Sequence, residues 1–111
     1  MYFNYVIVPY ACSDATLRAK QMAELAKFEA SLMERGEYVI SPVLRIVGLY
    51  GVTASDAWEQ WREYAFELMN YCSHVTVLMF DGWDTDPVVL AEIQNAKDID
   101  TPVKYVRVCV D

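Results

Sequence analysis

Histidine, glycine and proline are scarce in this chain, which has one histidine, four glycines and four prolines. With His74 alone, a site built from several histidines cannot form, and no spacing of histidine, cysteine and carboxylate residues indicates a metal site. The glycines form neither the GxGxxG fingerprint of dinucleotide-binding domains nor the GxxxxGK[ST] phosphate loop. We therefore expect no metal, no cofactor and no ATP-dependent chemistry.

Cysteines and basic residues are also few. The three cysteines form no CxxC pair and lie far apart, which disfavours a disulfide framework and a zinc ribbon and suits a reducing cytoplasm. Nine basic residues oppose 16 acidic ones, and the resulting charge of −7 disfavours duplex nucleic acid and anionic membranes as partners. No apolar run approaches the ~20 residues of a membrane span, and residues 1–4 lack the basic segment of a signal peptide.

What the chain does have is a regular alternation of strand and helix patterns over a length of 111 residues. Predicted strands at 3–8, 37–41, 75–80 and 103–109 alternate with predicted helices at 14–35, 57–71 and 87–97. The almost continuous apolar run at 75–80 is typical of a strand buried on both faces of a parallel sheet. The alternation predicts one α/β domain over residues 1–111, a doubly wound, flavodoxin-like sheet of about four parallel strands. Its expected order is 2-1-3-4, with helices on both faces.

The first helix carries signals at both ends. Ser13 is expected to be its N-cap, and Gly36 stands where the residue after a helix often takes positive φ. Four apolar residues at helical spacing are expected to form its buried stripe: Leu25, Phe28, Leu32 and Met33.

The connection over residues 42–54 is long, contains Gly48 and Gly51, and has few charges. It is too apolar for a flexible linker, so we expect a packed functional loop that covers a ligand or contacts another subunit. Ser55 or Asp56 is expected to cap the helix that follows.

The predicted topology places the ligand crevice beyond the carboxyl ends of strands 1 and 3, where the winding reverses. The segments delivered there are Tyr10, the turn 81–83 and the start of the third helix, where Asp86 is the expected cap before Pro87. Glu92 lies about one and a half turns into that helix, which puts it at the crevice edge. Composition alone favours the alternative that these acids are solvated surface groups.

The segment Val77–Trp83, followed by Asp86 and Glu92 and preceded by the opening Val8–Tyr10, resembles the nucleoside 2-deoxyribosyltransferase-like superfamily. It is most similar to a small branch of phage and bacterial proteins classed as DUF1937. The resemblance covers essentially the whole chain. It implies a single domain of nucleotide metabolism that uses no cofactor and assembles as a homo-oligomer.

The resemblance also implies roles for individual residues. Glu92 matches the nucleophile that attacks the anomeric carbon, and Asp86 matches the residue that handles the leaving base. Trp83 is a candidate for stacking on that base. The remaining expected substrate-binding residues are Tyr10, Asp81, Gly82 and Ser41.

The implied function is cleavage or transfer at the N-glycosidic bond of a (deoxy)nucleoside-like ligand, as in a nucleoside deoxyribosyltransferase or an N-glycoside hydrolase. Two alternatives stay open: a catalytically silent protein that binds a nucleotide-derived small molecule, and an interaction protein that retains the fold. Two departures from the family pattern bear on the choice. Pro87 and Val88 replace small residues, which disfavours a bound 5′-phosphate, and Ala65 replaces an orienting aspartate.

Two further expectations concern titratable groups. Modest desolvation of Glu92 would leave its carboxyl group ionised at neutral pH. His74 precedes a buried strand at its amino end, away from the crevice, which favours a structural or surface role.

Overall fold

The computed structural model describes residues 3–9, 14–42 and 57–108. Four strands alternate with three helices in these ranges: β1 (Phe3–Ile7), α1 (Ala15–Glu34), β2 (Tyr38–Ile40), α2 (Trp58–Met69), β3 (His74–Met79), α3 (Pro87–Asp98) and β4 (Val103–Arg107). The strands pair only in parallel, in the order β2-β1-β3-β4, which confirms the predicted topology. None of these three helices is long and apolar enough to cross a bilayer.

The two central strands form the core of the sheet. Tyr5 of β1 pairs with Val75 of β3, which in turn pairs with Val103 of β4. Both central strands are almost wholly buried, as the continuous apolar run of β3 predicted, whereas the outer strands are partly exposed. Right-handed crossovers then place α1 on one face of the sheet and α2 with α3 on the other.

The boundaries of α1 correct one prediction and confirm another. Its N-cap is Asp14 and not Ser13, because Asp14 Oδ1 accepts hydrogen bonds from the amides of Thr16 and Leu17 at 2.9 and 3.1 Å. Gly36 follows the last turn with a φ of +84°, as predicted, a conformation that glycine adopts without strain.

The predicted stripe of α1 is only partly correct. Leu25 and Leu32 are buried and Phe28 is half-buried, but Met33 is 61% exposed. Neighbouring helical residues point about 100° apart, so Leu32 and Met33 cannot both face the sheet.

The start of α2 also differs from the prediction. Its N-cap is Ala57, which makes no side-chain cap bond, while Ser55, Asp56 and most of the connection 42–54 lie outside the described residues. The buried face of α2 is formed by residues at four-residue spacing: Trp61, Ala65 and Met69. This face meets α3, where the Asn95 amide donates to Met69 Sδ at 3.3 Å.

Candidate functional site

Glu92 lies on the buried face of α3 and reaches across to the sheet. The Tyr5 hydroxyl in β1 donates a hydrogen bond to Glu92 Oε2 at 2.5 Å, and both side chains are buried. The other buried residues of this face are apolar: Val89, Ile93 and Ala96. Glu92 is therefore the only ionisable residue among the buried residues of α3, and the other three pack against the core.

Each of two neighbouring carboxyl groups keeps one buried oxygen without a hydrogen-bond partner. These oxygens are Glu92 Oε1 and Asp86 Oδ2. Burying a polar atom without a partner costs about 1–3 kcal/mol, so native proteins rarely retain one unless it has a use. The unpaired oxygens are therefore the atoms of this region that are available to a ligand.

The electrostatics of Glu92 differ from the sequence-based expectation. Burial raises the pKa of Glu92 to about 8; the hydrogen bond from Tyr5 lowers the pKa and the nearby charge of Asp86 raises it. The raised pKa favours the protonated form of Glu92 in the ligand-free molecule, whereas the sequence-based expectation was an ionised carboxylate. The proton belongs on Oε1, because Oε2 accepts the hydrogen bond from Tyr5.

Asp86 has a position fixed by the backbone. Its Oδ1 accepts hydrogen bonds from the amides of Val88 and Val89 at 2.8 and 3.2 Å, so Asp86 is the N-cap of α3 with Pro87 in the first turn, as predicted. Although it is a cap residue, Asp86 is only 5% exposed. The cap bonds occupy one oxygen and hold the other, Oδ2, in place.

The turn before Asp86 faces solvent. Asp81, Gly82 and Asp84 are exposed, and Gly82 has a φ of +91°, the turn conformation that favours glycine. Asp81 and Gly82 are therefore accessible to solvent, and their expected contact with a substrate stays a prediction.

Trp83 packs against β4, with its ring 5.6 Å, centroid to centroid, from the ring of Tyr105. Tyr105 lies on the same face of the sheet as Tyr5, with β3 between their strands. Glu92 contacts Tyr5 directly, and the charge of Asp86 raises the pKa of Glu92. The expected stacking of Trp83 on a base stays a prediction.

Two other predicted residues have different outcomes. Tyr10 lies outside the described residues. Ser41 follows β2 and is half-buried, and its hydroxyl oxygen is buried without a hydrogen-bond partner. The expected role of Ser41 in substrate binding stays a prediction.

Tyr5 is the residue of this site that sequence reasoning missed. It lies in the run Phe3–Ile7, where an aromatic residue is expected simply to pack. The available signal was a phenol group in a central buried strand, because a buried tyrosine hydroxyl needs a hydrogen-bond partner.

With this geometry established, the comparisons with known proteins become informative. The family model described as "Domain of unknown function (DUF1937)" matches residues 3–107, almost the whole chain. The chain belongs to the DUF1937 family. No curated protein and no solved structure matches it. The wider resemblance to the deoxyribosyltransferases stays a prediction.

A second polar network of this DUF1937 domain lies at the amino end of the sheet. His74 Nε2 is 3.4 Å from Glu37 Oε1, and His74 Nδ1 is 2.8 Å from Ser73 Oγ, which in turn lies 3.2 Å from the carbonyl oxygen of Phe3. His74 and Glu37 line a cleft of about 290 Å³ together with Pro102, Val103 and Lys104. His74 thus lies at the amino end of β3, as predicted, and links the starts of three strands.

Proposed function

We propose that this DUF1937 domain cleaves or transfers at the N-glycosidic bond of a (deoxy)nucleoside-like ligand, with Glu92 as the reacting carboxyl group. The observation that carries the proposal is the state of Glu92. It is buried, one oxygen is oriented by Tyr5, and the other has no partner within the chain. A cytoplasmic homo-oligomer is part of the same proposal.

The reaction requires Glu92 in its ionised form. Oε1 attacks the anomeric carbon while the bond between that carbon and the base nitrogen breaks, which gives a glycosyl ester. The leaving base takes the proton that Glu92 gives up when it ionises, and Asp86 Oδ2 is the candidate relay for that proton. Water or a second base then attacks the same carbon and frees the carboxylate. Throughout, the Tyr5 hydrogen bond holds Oε2 and stabilises negative charge on Glu92.

The proposed substrate is a nucleoside and not its 5′-monophosphate. A helix N-terminus binds phosphate through free amides, but in α3 the amides of Val88 and Val89 already donate to Asp86. Pro87 supplies no amide at all, and the exposed Asp81 and Asp84 add negative charge beside the same turn. Calorimetry at moderate salt tests this preference. Tighter binding of a monophosphate than of its nucleoside would contradict it.

The experiment that tests the mechanism is trapping of the glycosyl ester. A 2-fluoro-2-deoxy nucleoside slows breakdown of the ester, because fluorine destabilises the cationic transition state. We expect the intact mass to rise by one fluorosugar unit and the label to map to the peptide that contains Glu92.

Two variants make the trapping experiment specific. Glu92→Gln should abolish the label, whereas Glu63→Gln, a change at an exposed acid of α2, should leave it unchanged. Turnover of deoxynucleosides without any label would instead assign Glu92 the role of general base for direct attack by water.

The second candidate function is silent binding of a nucleotide-derived small molecule. The observation that favours it is Ala65, which is fully buried in α2 and brings a methyl group where the related transferases carry an orienting carboxylate. A silent binder would retain a nucleoside stoichiometrically and release no free base, which chromatography of the same incubations detects. A protein that retains the fold for interaction only would show neither retention nor product.

A further inference from the structure

We propose that the Glu92–Asp86 pair, with one buried and unpartnered oxygen on each carboxyl group, recognises ligands through a cationic ring nitrogen. The proposal names a ligand class for the site described above. Its preference for a ring of sugar size rests on the proposed function, whereas its charge preference rests on the carboxyl pair itself.

The unpartnered oxygens of the pair match the donors of a ring ammonium in number. Glu92 Oε1 and Asp86 Oδ2 are buried and unpartnered, while the second oxygen of each group is already bound, by Tyr5 and by the α3 amides respectively. Once Glu92 is ionised, the site therefore offers two acceptors, and other hydrogen bonds hold the second oxygen of each carboxyl group. A secondary ammonium in a five-membered ring carries two N–H donors, which is the number that these acceptors need.

The salt bridges of the described residues do not involve the Glu92–Asp86 pair. They pair Lys27 with Glu24, Arg62 with Glu59, and His74 with Glu37, so they neutralise other acids. The buried pair has instead the proton on Glu92 as its compensation, since burial and the charge of Asp86 both favour the protonated form. A ligand cation supplies that compensation in place of the proton.

Binding of the cation exchanges a proton for the ligand charge. The protonated carboxyl group of Glu92 releases its proton to solvent, and the resulting carboxylate pairs with the ring ammonium. A neutral ring of the same shape brings no positive charge, so the proton stays on Oε1. Affinity for the cation is therefore linked to proton release, and affinity for the neutral ring is not.

The experiment is calorimetry at pH 7 with two matched probes, the pyrrolidine iminoribitol and its tetrahydrofuran analogue anhydroribitol. Titrations in two buffers of different ionisation enthalpy give the number of protons released. We expect iminoribitol to bind about tenfold more tightly or better and to release close to one proton, and anhydroribitol to release none. Equal affinities, or binding of iminoribitol without proton release, would overturn the proposal.

Variants assign the effect to the pair. Glu92→Gln should remove both the proton release and the preference for the cation, and Asp86→Asn, which retains the capping oxygen, should weaken the preference. Glu63→Gln at an exposed position of α2 is the matched control and should change neither. If Glu92→Gln fails to fold, a pH series on the parent protein decides instead: between pH 5 and pH 7, where the ring nitrogen and Glu92 both hold a proton, iminoribitol affinity must increase close to tenfold per pH unit, and a flat series refutes the exchange.

Failure of this proposal is distinguishable from failure of the proposed function. Iminoribitol that binds with proton release, in a protein that turns over no nucleoside, supports the cation site and refutes the enzyme. Nucleoside turnover without any preference for iminoribitol supports the enzyme and refutes the cation site.

Discussion

Two polar networks lie at different positions on the same sheet. They differ in how many of their polar atoms have a hydrogen-bond partner. The network of Glu92, Tyr5 and Asp86 is buried and keeps two carboxyl oxygens without partners. The network of His74, Glu37 and Ser73 is in contact with solvent, and both ring nitrogens of His74 have partners. Both networks connect elements that are distant in sequence, so this property does not distinguish them.

The difference between the two networks is one of free energy. Partly exposed ion pairs stabilise proteins by about 0–1 kcal/mol, and solvent can replace either partner. A buried carboxyl group with an unpaired oxygen lowers stability instead, because water has been removed from it without a full replacement. The His74 network is therefore typical of structure, and the Glu92 network has the features of a site whose missing partner is a ligand.

The largest expected effect is on turnover. Glu92→Gln should lower the rate of nucleoside cleavage by about a thousandfold or more, the scale seen when an enzyme loses its nucleophile. The fold should persist, because an amide is nearly isosteric with a carboxyl group, and thermal unfolding by circular dichroism checks this. A variant that retains the parent rate would remove Glu92 from the reaction.

The next prediction concerns loss of the hydrogen bond from Tyr5 to Glu92, which should change both the stability and the pKa of Glu92. Tyr5→Phe removes the donor and leaves Glu92 Oε2 buried without a partner, which should lower the free energy of unfolding by about 1–3 kcal/mol. The same change should raise the pKa of Glu92 further, because the Tyr5 bond lowers it in the parent protein. A pH–rate profile shifted to higher pH identifies this effect, and Tyr71→Phe at an exposed tyrosine should leave the profile unchanged.

A third prediction concerns stability against pH. The pKa of Glu92 is about 8 when folded against 4.5 for the free side chain, so between these values the folded protein holds more protons than the unfolded chain. The contribution of Glu92 should therefore be most favourable below pH 4.5 and decline as pH rises towards 8. Urea unfolding of the parent protein and of Glu92→Gln across this range isolates the decline. A constant difference between the two would show that Glu92 is not buried in acid form.

The smallest effect belongs to the other network. Glu37→Gln replaces the carboxylate that lies 3.4 Å from His74 Nε2 by an amide, and it should lower the free energy of unfolding by about 0.5 kcal/mol or less, because the contact is partly exposed. Urea unfolding of the parent protein and of the variant measures the difference. A loss of more than about 1 kcal/mol would show that the contact contributes more than a partly exposed ion pair does.

The parts of the fold that local sequence determines were predictable. Strand order follows from the alternation of elements and the handedness of crossovers, and the cap at Asp86 with Pro87 is a local backbone signal. The position of Glu92 on α3 was also predictable from spacing. Its protonation was not, because the desolvation that causes it comes from elements brought together only in the folded chain.

The errors have the same origin. Tyr5 was missed because its partner is 87 residues away, and no local pattern records that contact. The contact of Trp83 with Tyr105 was not predictable either, because Tyr105 belongs to a strand that follows 22 positions later; the expected stacking of Trp83 on a base stays a prediction. Met33 was assigned to the core because periodicity gives the spacing of a stripe but not its width.

The length of chain between Tyr5 and Glu92 also has a kinetic consequence. Their hydrogen bond forms only once β1, β3 and α3 have assembled, because it spans 87 positions and crosses between the sheet and a helix. Contacts made late in folding influence the unfolding rate more than the folding rate. Loss of the Tyr5 hydroxyl should therefore accelerate unfolding and leave refolding almost unchanged, so this bond determines how long the native state persists once it has formed.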